Sequence, residues 1–241
     1  MANDSTYGQI LRLPKRVRSR PQDADVLTSR HTLTDVFPLG PADPAATGFV
    51  SAMISDGVGP ILWVQDFNSR RENGCLYTPG LHGFGVTQDI LQVTVSAARD
   101  VLWAMEEGAS CGSLSAVVGE IHGGPAVLDF TATKRLAMRA DTSGVPLYLI
   151  RSGDAGGLSA ARMRWRLGSL PSTAHPHDSL AAGALRWDAD LYRARNTATG
   201  RWVAQYDPRA TTATDRLRLV SRVPDRTLAA GDQPVSDRTR A

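Results

Sequence analysis

The turn Gly40-Pro41-Ala42-Asp43-Pro44-Ala45-Ala46-Thr47 has the spacing that comes nearest to a chemical site. A triphosphate cradle has the pattern Gly, four residues, Gly, Lys, Ser or Thr. Its backbone N–H groups surround the phosphates, its Lys reaches them, and its hydroxyl holds magnesium. Gly40 and Thr47 take the first and last of these places, but Ala45 replaces the second Gly and Ala46 replaces the Lys. Without that Lys the outer phosphates lose their cation. Pro44 has no N–H to donate, and Asp43 sets a negative charge beside the anion. These changes predict a degenerate cradle that holds no nucleotide cofactor. A magnesium-holding acid belongs directly after a buried apolar strand. The candidate strand Leu114 to Val118 runs instead into Gly119, and Glu120 comes one place late. Asp66, after the apolar run ending at Val64, reads as a surface or capping acid.

Other chemistry-bearing groups are few. Arg162, Arg164 and Arg166 alternate with Met163, Trp165 and Leu167, so in a strand the three arginines share one face. They read equally as a phosphate-binding strip, sensitive to salt, or as a solvated strand face. Trp165 points the other way and reads as core. His175-Pro176-His177-Asp178 reads as a loop rather than a metal site, and His31, His82 and His122 have no ligand spacing. Cys75 and Cys111 have no companion His, and two cysteines make no disulfide framework. No metal site is expected.

The elements that would position these groups alternate along the chain. Strands are predicted at Thr32–Phe37, Pro60–Val64, Ile90–Val95, Leu114–Val118 and Val145–Ile150. Between them lie three helices. One starts at an Asp43 cap with Pro44 first and stops at Gly57–Gly59. One starts at a Ser96 cap and ends at Gly108, and one spans Thr131–Thr142 and ends at Gly144. Alternation of this kind means a mostly parallel sheet covered on both faces. After Ile150 the pattern changes to strands alone: Ala160–Leu167, Ala184–Arg195, Arg201–Asp207 and Arg216–Val220. A five-residue loop, Asn196 to Gly200, makes a hairpin of the middle pair. The expected fold class is α/β, with a mostly parallel sheet extended by C-terminal antiparallel strands.

The 241 residues are 42% hydrophobic and 21% charged, a globular balance. No apolar run reaches the roughly 18 residues of a membrane helix, and Met1 to Ile10 has no apolar stretch of a secretory signal. A cytoplasmic protein with no membrane contact is the expectation. Net charge is +3, but residues 31–150 carry twelve acids against six bases, while 1–30 and 151–241 are basic. Basic ends suit an anionic or acidic partner. Residues 1–30, with Arg12, Lys15, Arg16, Arg18 and Arg20 broken by prolines, read as a basic arm, and 222–241 read as a disordered tail.

The stretch Phe37 to Arg151 resembles the core of RecA-type ATPases with its active site eroded. More specifically, Asp43–Phe49, Gly59–Val64, Leu76–Leu81, Leu102–Glu107 and Ala116–Glu120, in that order and spacing, are similar to the ImuA family. These are RecA-like accessory proteins of the SOS-inducible mutagenesis cassette of many bacteria. The resemblance covers roughly residues 31 to 220. It implies a RecA-like domain over 31–221 with a hairpin extension from about residue 151. It also implies a non-catalytic adaptor in SOS-induced translesion synthesis, without ATPase activity. Its implied partners are ImuB and, through it, an error-prone C-family DNA polymerase, with RecA, DNA and self-association as further contacts. Gly156 to Ala161 resembles the end of the RecA loop that meets single-stranded DNA. Arg193 and Arg195 match positions where RecA proteins carry basic residues at a subunit boundary. Two alternatives remain open from the sequence: an unusual RecA-like ATPase, and an SOS cell-division inhibitor, since such inhibitors share a related eroded fold.

Overall fold

The apolar runs near residues 33, 61, 116 and 147 become the four innermost strands of the parallel part of a nine-stranded sheet. A computed structural model describes residues 27, 32–54, 56–175, 177–178, 180–195, 197–210 and 216–221. In chain order they form β1 (Leu33–Pro38), α1 (Ala45–Ile54), β2 (Ile61–Asp66), α2 (Phe67–Asn73), α3 (Thr78–His82), β3 (Ile90–Val95), α4 (Ala98–Ala109), β4 (Ala116–His122), α5 (Phe130–Ser143) and β5 (Leu147–Ser152). Then come β6 (Met163–Leu170), β7 (Leu185–Ala194), β8 (Gly200–Tyr206) and β9 (Leu217–Ser221). The sheet order is β3-β2-β4-β5-β1-β6-β7-β8-β9. Pairing is parallel from β3 to β6 and antiparallel from β6 to β9. The expected α/β class, with its antiparallel extension, is therefore the observed one. The basic arm, Leu27 apart, and the C-terminal tail lie outside the described residues.

Two apolar layers flank the sheet. On one face Phe49 of α1 packs with Trp63, Trp165 and Trp187, and this layer continues to Trp202 and Tyr206 under the extension. On the other face Val101, Leu102 and Met105 of α4 and Leu136 and Ala140 of α5 cover Val117, Leu147 and Leu149. Strands buried on both faces explain why the sequence there runs apolar without alternation.

Several boundaries differ from the sequence reading, each for a packing reason. β4 does not stop at Val118. It carries Gly119 and Glu120 within the sheet, and a Cβ on Gly119 would sit 2.2 Å from Met105 Sδ. The glycine is there so that α4 can approach. Gly108 likewise does not end α4 but lies inside it, where a Cβ would meet Leu62 Cδ2 at 2.6 Å. Ser96 does not cap α4; Ala97 holds that position, with no side-chain bond. Gly144 does end α5, in the left-handed region at φ 77°. The short helices α2 and α3 were not foreseen, because seven and five residues are too few to show a period.

Candidate functional site

The carboxyl ends of β1, β2, β4 and β5 open toward the turn before α1, the place where such sheets bind ligands. The turn is closed on itself. Ala42 takes a positive φ of 52°, and this bend carries Asp43 back over the first turn of α1. Asp43 Oδ1 accepts from Ala45 N–H at 2.9 Å. The same carboxylate accepts from Ser169 N–H at 3.0 Å and from Ser169 Oγ at 2.6 Å, on β6. A helix N-terminus attracts an anion, and here the chain supplies its own. Against the opposing effect of partial burial, the donors Ser169 and Ala45 hold the Asp43 carboxyl below its usual value. Ala45 and Ala46 are buried, so the Lys place of the cradle pattern is a methyl group in the core layer. Gly40 comes no nearer than 3.6 Å to a neighbouring side chain with an added Cβ, so nothing packed against it requires a glycine.

Beside the turn lies a cavity of about 250 Å³. Thr47, Gln65, Asn73, Glu120 and Ser152 line it with Leu76, Tyr77, Leu81 and Phe84. Glu120 is on the α1 side of the sheet, the side of Trp63 and Gln65. It accepts from Trp63 Nε1 at 2.6 Å and from Gln65 Nε2 at 3.1 Å. Burial pushes its carboxyl up, more strongly than these two donors lower it. Both oxygens are engaged, and Glu120 works here as a tie between β4 and β2. Asp66 is a cap, as expected, but a buried one rather than a surface group: its Oδ1 accepts from Ser69 N–H at 2.7 Å at the start of α2. No group of three or more His, Cys, Asp or Glu stands together among the described residues. His175 and His177 have ring centroids 6.0 Å apart, and Cys75 and Cys111 are free and exposed.

The arginine strip is corrected at its centre. Arg164 and Arg166 do share one face of β6, and Arg162 lies one residue before its start, but Arg164 is only 4% exposed. Its Nη2 donates to Gly156 O at 3.2 Å and Gly157 O at 2.9 Å, and its Nε lies 3.4 Å from Asp35 Oδ2. Asp35 also accepts from Arg151 Nη1 at 3.0 Å, and Arg151 Nε donates to Asp154 Oδ2 at 2.7 Å. The Arg164 guanidinium lies 5.2 Å from the Phe37 ring and 5.3 Å from that of Tyr192. Arg164 is thus withdrawn from any contact surface, and the stretch Gly156–Gly157 is held down by it. Arg162 is engaged too, with its Nε and Nη2 both donating to Asp141. Arg166 is exposed, its guanidinium 4.1 Å from the Tyr192 ring. Asp35 was missed in the sequence, yet an acid in the middle of the expected strand Thr32–Phe37 is itself a signal. A buried charge must be paired, so such an acid calls for a buried base. Burial raises its carboxyl, outweighing Arg151, Ser159 and Arg164.

Arg193 and Arg195 are exposed at the end of β7. Register places Trp165 against Leu191 but Arg164 against Arg193, so Tyr192 is an extra residue. Strict alternation from Leu191 would turn Arg193 into the core layer. The bulge moves it, with Arg195, to the opposite face, beside α5.

No family model and no curated protein matches the chain. Among solved structures, the crystal structure of the RadB recombinase matches with a TM-score of 0.54. It covers 78% of this chain and 94% of that one at 14% identity. The fold is RecA-like. SulA from Pseudomonas aeruginosa matches half of this chain and 98% of its own, at 16% identity and a TM-score of 0.37, too distant to carry an argument. Within the RecA-like fold, the turn at residues 40–47 stands at the carboxyl edge of β1, where the sequence pattern sets the cradle.

Proposed function

We propose that this chain is a non-catalytic RecA-like adaptor in SOS-induced, error-prone translesion DNA synthesis. Its work is contact, not ATP hydrolysis. One observation carries the reading: Asp43 occupies the anion position at the start of α1, bonded to Ala45 and Ser169. A phosphate placed there would meet a carboxylate, no Lys, and a proline in place of a donor. The resemblance to the ImuA family supports ImuB as the partner and, through it, a C-family polymerase. RecA and DNA are further contacts on this reading. The exposed cations Arg166, Arg193 and Arg195 are the contact residues that remain once Arg162 and Arg164 are seen to be engaged.

Two measurements test the reading. The melting temperature should not move with saturating MgATP. A nucleotide at a hundred times its Kd would add about 2.7 kcal/mol, or roughly 5–10 °C for a chain of this length. Purified ImuB should retain the full chain on a column and lose it when Arg166, Arg193 and Arg195 are reversed to Glu. A clear MgATP shift, or ImuB retention indifferent to those reversals and to removal of residues 151–241, would overturn it.

A further inference from the structure

α5 and the end of β7 enclose a groove of about 550 Å³. Phe130, Lys134 and Met138 stand at i, i+4 and i+8 on α5, one above the other along about 12 Å of helix. Phe130 is 48% exposed and Met138 59%. Arg193 and Arg195 form the opposite wall, set there by the β7 bulge. Their position is fixed: Arg195 N–H donates to Arg162 O at 2.9 Å, and Arg162 N–H to Leu33 O at 3.0 Å. At one end Arg162 and Asp141 neutralise each other, with Arg162 Nε donating to Asp141 Oδ1 at 3.0 Å. Lys134, Arg193 and Arg195 have no carboxylate partner among the described residues. The groove therefore has three uncompensated positive charges above an apolar floor that includes Ala137, Ala160 and Ala161.

We infer that this groove docks an acidic amphipathic segment of a partner protein. Carboxylates of the segment meet Lys134, Arg193 and Arg195, and its apolar side chains lie against Phe130 and Met138. Charge complementarity selects the class, and the adaptable Met suits a helix seated in a groove. A nucleic acid strand fits less well. It wants cations in line with its phosphates and several aromatic platforms for its bases. Here the cations face one another across the groove, and the floor is one ring, one Met and methyl groups. The inference deepens the adaptor reading and rests on it for the existence of a protein partner.

The test is fluorescence anisotropy on the full chain with three labelled probes. These are a helical peptide of Glu-Glu-Leu-Leu repeats, the same peptide with Gln for Glu, and an oligothymidylate. The acidic peptide should bind, and bind more weakly as NaCl rises from about 50 to about 500 mM. Lys134→Glu with Arg193→Glu and Arg195→Glu should weaken it at least about tenfold, and Met138→Asp should weaken it separately. Arg218→Glu, remote on β9, should leave it unchanged. All these side chains are exposed, and unchanged melting curves would confirm that each variant is folded. Absence of peptide binding, equal binding of the Gln peptide, or tighter oligothymidylate binding abolished by the same reversals would each overturn the inference. Neither nucleotide nor ImuB is in the assay, so its failure is separable from that of the adaptor reading.

Discussion

Replacing Asp43 by Ala removes the group that closes the turn before α1, and the structure sets the size of the effect. The carboxylate caps α1 through Ala45 N–H and receives two bonds from Ser169. Loss of an N-cap costs about 1 kcal/mol. The Ser169 bonds go to a charged acceptor, worth about 1.5 kcal/mol or more when buried, but Asp43 is partly exposed and water replaces part of that. A total near 2 kcal/mol lowers the melting temperature by roughly 4–8 °C for a chain of this length. The effect depends on pH in a definite sense. The folded carboxyl is held below its unfolded value, so its contribution is present above about pH 3.9 and is lost as pH falls through the folded value. Melting curves of wild type and Asp43→Ala should therefore differ by a constant amount at neutral pH and converge in acid. Ser169→Ala should cost less alone, and the double variant less than the sum. A difference that did not shrink at all as the pH fell through the acid range would refute the carboxylate cap. So would strict additivity of Asp43 and Ser169.

Three further outcomes are expected. Arg164→Ala leaves Asp35 with Arg151 alone and removes the bonds to Gly156 O and Gly157 O, and should destabilise by about 1.5–3 kcal/mol, measured by urea unfolding; a loss below about 1 kcal/mol would return Arg164 to the surface strip. The raised folded pKa of Glu120 means that its own contribution to stability is greatest below the unfolded value of about 4.3 and declines as pH rises from there through the folded value. Glu120→Gln should show a flatter stability profile over that range, and parallel profiles would contradict the burial argument. Gly59→Ala puts a Cβ 2.3 Å from Ser113 O at φ 106° and should cost at least about 2 kcal/mol, whereas Gly74→Ala meets nothing within 4 Å and suffers only its positive φ.

The strand-and-helix alternation up to Ile150, the switch to strands alone after it, and the loss of Lys and of a backbone donor in the turn at 40–47 were legible from residue order. Each depends on local chemistry: apolar runs mark buried strands, proline has no N–H, and a missing cation is visible by inspection. Where Asp43 directs its carboxylate was not legible, because Ser169 is 126 residues away. Gly108 and Gly119 looked like a stop and a lost acid; only the approach of α4 to β2 and β4 shows them to be clearances. Alternation put the three arginines on one face correctly, yet could not say that Asp35, on β1 with four strands of chain between it and β6, would bury the middle one. One extra residue in β7 reversed the face of Arg193 and Arg195, a register change that no spacing rule reveals. Local bonding and side-chain period are written in the sequence. Which charges meet, and which are left without a counter-charge, is decided by strand order and register, since these alone bring distant residues within a few ångströms.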